Sequence, residues 1–90
     1  TAELAEARDG VSSARQAVAA MLAAVAAAEA GAVLMRRRFE EGLATAADLL
    51  QDETRRAQAE SHAIDAQAGL LMAEARQRFV TTMHLDGNDR

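Results

Sequence analysis

The side chains best suited to chemistry are few. Ser12, Ser13 and Ser61 offer hydroxyl nucleophiles, His62 and His84 offer bases or metal ligands, and the chain has 14 Asp and Glu residues. A hydrolytic triad needs its serine on a strained turn, a histidine and an acid oriented behind it, and backbone N–H groups aimed at the developing oxyanion. None of the three serines has a nucleophile turn, a glycine-rich loop or a His–Asp partnership around it. A metal site in a helical bundle favours converging carboxylates and histidines, often as Glu-x-x-His on one helix. Glu60-Ser61-His62 has the wrong spacing, and His84 has no ligand set nearby in sequence. With no cysteine, thiolate ligands, thiol nucleophiles and disulfides are excluded together. The expectation is therefore a protein that is not an enzyme, with no catalytic residue, no cofactor site and no metal site.

Charge narrows the partners further. The net charge is −4, and both signs are mixed along the chain, so no basic stripe exists to track a phosphate backbone and nucleic acid is not an expected partner. The densest cluster is Arg36-Arg37-Arg38 followed by Glu40-Glu41. Consecutive helical residues turn about 100° each, so the three arginines cannot share one flat patch. They read as a solvated helix end, or as partners for Asp48, Asp52 or Glu53 on an adjacent arm or a neighbouring hairpin.

The elements that position these groups are helices. About a quarter of the residues are alanine, there is no proline, and the only aromatics are Phe39 and Phe79. From Leu4 the apolar positions recur every seven residues as Leu4, Val11, Val18, Val25, Ala32 and Phe39. Ala7, Ala14, Met21, Ala28 and Met35 follow three positions after the first five, which makes a sustained a/d seam. The second half repeats the device with rows at Leu50, Ala57, Ile64 and Leu71 and at Ala47, Thr54, Ser61, Ala68, Ala75 and Thr82, and Arg78 is the misfit.

Between the seams lies Glu40-Glu41-Gly42-Leu43-Ala44-Thr45. Gly42 suits a left-handed residue just past a helix end, Thr45 suits an N-cap, and Asp48 completes a capping-box-like start. The fold expected is all-α, a long antiparallel two-helix coiled-coil hairpin spanning residues 1–84. Its helices cover about 2–39 and 46–83, its turn covers 40–45, and residues 85–90 form a frayed tail. A reversal at Gly42 and Leu43 makes facing residue numbers sum to about 85 or 86. Val25 then faces Ser61, Met21 faces Ile64 and Met35 faces Leu50, with large side chains mostly meeting small ones.

Apolar and small residues remain on the outward faces, among them Ala20, Leu22, Ala24, Leu34, Leu49, Ala59, Ala63, Leu70 and Ala73. A thin two-helix unit with a second apolar face is expected to self-associate. The most apolar run, Ala17 to Ala28, is shorter than a bilayer span, and helix-compatible sequence from the first residues suggests a piece of something larger.

The stretch Arg38-Phe39-Glu40-Glu41-Gly42-Leu43-Ala44-Thr45-Ala46-Ala47-Asp48-Leu49-Leu50 resembles the periplasmic tip of the outer-membrane efflux protein family, the TolC-like exit ducts. The family pattern is aromatic-x-x-Gly-x-x-Thr-x-x-Asp-hydrophobic-Leu, followed by a helix with regularly spaced alanines. Phe39 stands on the aromatic position, usually tyrosine, and Gly42, Thr45, Asp48, Leu49 and Leu50 match directly. The resemblance implies one hairpin of a trimeric duct in the periplasm and outer membrane of a Gram-negative bacterium, in contact with the membrane only through β-barrel parts beyond this chain. It implies that Glu41, Gly42, Leu43, Ala44 and Thr45 dock a periplasmic membrane-fusion adaptor protein, and that Phe39, Asp48 and Gln51 line the entrance. Gln51 stands where the family often has a second aspartate, so that entrance would be less acidic, and Phe39 lacks the tyrosine hydroxyl. A generic coiled-coil oligomerisation or scaffold hairpin accounts for the same heptads without the duct.

Overall fold

Two uninterrupted helices account for the fold in the computed structural model, which describes the backbone of residues 1–88 and the side chains of residues 1–85. Helix α1 spans Ala2–Glu40 and helix α2 spans Ala46–Asn88. They lie against each other as an antiparallel hairpin of 73 × 13 × 13 Å. The all-α hairpin expected from the heptads is thus the observed fold.

The reversal is built from backbone chemistry that three residues supply. Gly42 has φ of 78°, a left-handed conformation that costs other L-residues about 1–2 kcal/mol. In that conformation its N–H donates to the Phe39 carbonyl at 3.1 Å, and the Leu43 N–H donates to the Arg38 carbonyl at 2.7 Å. This pair of bonds is the Schellman closure, and it satisfies carbonyls that the helix end would otherwise leave open. Thr45 then restarts the chain: its hydroxyl accepts from the Asp48 N–H at 3.1 Å, while the Asp48 carboxylate accepts from the Thr45 N–H at 3.0 Å. Two orphan donors are satisfied reciprocally, as a capping box requires.

The inner face of α1 matches the expected seam. Ala7, Val11 and Ala32 are buried, and Leu4, Ala14, Val18, Met21, Val25, Ala28 and Met35 are half-buried. Phe39 is the exception at 41 % exposure, because α1 ends one residue later and nothing lies beyond it to cover the ring.

The inner face of α2 is a correction. The rows that face α1 are Leu49, Arg56, Ala63, Leu70 and Gln77, with Asp52, Ala59, Ala66, Ala73 and Val80, all buried or half-buried. The row expected there points outward: Leu50 is 67 % exposed, Ile64 65 % and Leu71 67 %. Leu49, Ala59, Ala63, Leu70 and Ala73, expected outside, lie inside. The axial level brackets the expected one, since Gly31 lies beside Asp52 and Arg36 pairs with Glu53, numbers summing to 83 and 89 against an expected 85 or 86. The phase differs from the expected one, because α2 carries two heptad seams and the turn, not the relative greasiness of the rows, sets where α2 starts its rotation.

Two smaller differences concern the ends and the apolar run. Helix α2 continues to Asn88, past the expected end near Thr82 to His84, since no proline interrupts its N–H ladder. Asp89 and Arg90 of the expected tail lie outside the described residues. Helix α1 contains an 18-residue window of mean hydropathy 2.0, so by length and composition it is able to cross a membrane, which the narrower run Ala17 to Ala28 did not indicate.

Candidate functional site

The tip collects most of the residues singled out from sequence. Glu41, Gly42 and Leu43 are exposed, with Leu43 at 72 %, while Ala44 is half-buried and Thr45 exposed. Because the Schellman closure has used the local N–H groups, this end offers a rounded apolar knob at Leu43 with Phe39 at its flank. Arg37, Arg38, Glu40 and Glu41 surround it with both signs of charge. Such a surface can bind another protein's apolar groove. Among the described residues no three His, Asp or Glu side chains are grouped to hold a metal ion.

The three entrance candidates differ in what engages their side chains. Asp48 turns its carboxylate back onto the Thr45 N–H, and that backbone bond, followed by the Thr45 hydroxyl, holds its pKa below the ordinary carboxylate value. It is therefore ionised and committed to the helix start, where negative charge also complements the helix dipole. Gln51 lies on the outer face of α2, lining an open groove with Ala47, Leu50, Thr54, Arg55 and Gln58. Phe39 belongs to the end of α1.

An ion cluster just above the tip was only partly visible in the sequence. Arg36 donates to Glu53 across the arms at 2.7 Å, and Arg56 reaches the other Glu53 oxygen at 2.8 Å and Glu60 at 4.0 Å. The hydrogen bond from Arg36 holds the Glu53 pKa below its usual value against the opposing effect of burial, and the nearby Arg56 charge adds to the lowering. Asp52 pairs with Arg55 of its own helix at 3.0 Å and packs near Gly31. Of the partners anticipated for the arginine cluster, Glu53 is used across the arms, Asp52 only within its helix, and Asp48 by the cap instead. The spacing Glu53-x-x-Arg56-x-x-x-Glu60 is the sequence signal that identifies the rest. Arg56 Nε is buried without a hydrogen-bond partner among the described residues, as befits an arginine placed in a helix seam to reach Glu53.

The other prominent feature is the pair of faces on α2. Its inner and outer seams are offset by two residues, which at about 103° per residue in a heptad coil sets them about 154° apart around the helix. The outer seam alternates Leu50, Ile64 and Leu71 with Ala47, Thr54, Ala57, Ser61 and Ala68. On the outer side of α1, the row Ala19, Ala23, Ala26 and Ala30 is exposed and small. Between the arms, Ala24, Ala27, Ala28 and Gly31 meet Asp52, Arg55 and Ala59 in a shallow groove of about 340 Å³.

Comparison with protein-family profiles, curated proteins and solved structures finds no match to this chain.

Proposed function

We propose that this hairpin is a wall segment of a TolC-like export duct, in which copies of the hairpin stand side by side and the exposed turn docks a periplasmic adaptor protein. The observation that carries the proposal is the second heptad seam of α2. A helix with seams about 154° apart takes two neighbours in a gently curved row, and that internal angle corresponds to a closed tube of on the order of a dozen helices. In such a row, with the hairpins at equal height, Ile64 of one hairpin meets the exposed Ala19 and Ala23 of the next, large against small.

The tip supports the docking part. Its backbone is closed by internal hydrogen bonds, Leu43 projects, and Gly42 leaves room for another backbone to approach. The duct contributes no bond chemistry; it assembles, encloses a path across the periplasm below an outer-membrane barrel, and recognises its adaptor. Gly42→Trp in the full-length parent protein is expected to leave the hairpin helical while adaptor co-purification and export are lost. Unchanged export with retained adaptor binding would overturn the docking role.

A further inference from the structure

We infer that α2 carries two alternative seams for α1, so that the hairpin is a two-state device in which α2 turns about its own axis. The two seams are similar in content: the occupied one holds Leu49, Leu70 and Val80 with Asp52, Arg56 and Gln77, and the unoccupied one holds Leu50, Ile64 and Leu71 with Thr54, Ser61, Arg78 and Thr82. Side-chain packing alone therefore does not explain the observed choice. A slip of two residues in the connection, about 3 Å along the axis, carries each outer position to the place of an inner one. Ala57 then takes the place of Ala59.

What holds the observed phase is concentrated at one end. The Schellman closure, the Thr45–Asp48 box and the Arg36–Glu53 pair all lie at or near the tip. Beyond Arg56 the inner seam is mostly alanine, and among the described residues no other hydrogen bond or ion pair joins the side chains of the two arms. Releasing the tip thus frees the whole length of α2 to turn. The inference goes beyond the duct reading, and the two are linked: a neighbouring copy on the outer seam excludes the turned state.

The chain has no cysteine, so disulfide reporters are clean. Ala28→Cys is combined with Ala59→Cys to report the observed phase, because both alanines line the same groove. The same α1 cysteine is combined with Ala57→Cys to report the turned phase. The dilute chain is oxidised in 0.1 M and 1 M salt, with and without Glu53→Gln, and only product of monomer mass is scored. The 28/59 crosslink is expected at low salt. The 28/57 crosslink is expected to rise about five-fold or more with salt and with Glu53→Gln while 28/59 falls. If 28/57 stays at background in every condition, or 28/59 fails to form while circular dichroism shows a folded helical chain, the inference is overturned. Crosslinks of dimer mass between Ile64→Cys and Ala23→Cys chains report the side-by-side assembly separately, so each reading fails on its own product.

Discussion

Helices α1 and α2 have similar lengths and similar alanine-rich seams, yet they are determined differently. In α1 the valines and methionines at heptad spacing share one stripe, and that stripe faces α2. In α2 two stripes each hold large apolar residues, Leu49, Leu70 and Val80 on the inner one and Leu50, Ile64 and Leu71 on the exposed one. A one-stripe helix thus sets its own orientation, whereas a two-stripe helix takes its orientation from whatever connects it. Here that is the Gly42 closure and the Thr45 cap.

The sharpest way to break this comparison is to place a carboxylate in each stripe. Val25→Asp puts a charge into the single stripe of α1 and is expected to cost about 3 kcal/mol or more, enough to unfold so thin a hairpin, read by far-ultraviolet circular dichroism. Ile64→Asp on the outer stripe of α2 is expected to keep the helical signal but reduce self-association, read by sedimentation velocity. Equal loss of helix in both variants would erase the distinction between the arms.

The connection has the next largest effects. Gly42→Val forces a branched residue to φ of 78° and is expected to cost about 1–2 kcal/mol in thermal unfolding. Thr45→Ala removes the hydroxyl that caps α2 and is expected to cost about 1 kcal/mol, with the loss confined to the tip in amide hydrogen exchange.

The smallest effect is electrostatic and is read by pH. Arg36 lowers the folded pKa of Glu53, and the Thr45 N–H lowers that of Asp48. The ordinary values of the two groups are 4.5 and 3.8, so the unfolded chain binds more protons around pH 4. Both contributions are fully present above about pH 5 and are lost as pH falls through the lowered folded values. Glu53→Gln is expected to lower stability at neutral pH and to flatten the pH dependence on the acid side in thermal melts. An unchanged acid slope would show that the Arg36 pair does not help hold the arms.

Much of the fold was legible before any coordinates. Gly42, Thr45 and Asp48 announced a left-handed closure and a reciprocal cap by residue type alone, and the α1 heptad named its inner face. The outer face of α2 was misassigned because Leu50, Ile64 and Leu71 make the greasier row, and a local pattern cannot say which of two rows a turn will aim inward. The Arg36–Glu53–Arg56 cluster was half legible: the arginines and their possible acceptors stood out, but choosing Glu53 across the arms over Asp48 required the axial level and the phase together.

Residue types alone specify two helices, the place where they reverse and the approximate level at which the arms meet, because capping chemistry and heptad spacing act over a few residues. Which stripe of α2 is inside emerges only in the folded hairpin, since the two stripes hold similar residues and the turn geometry selects between them. The exposed stripe that results is what turns a simple hairpin into a candidate for side-by-side assembly.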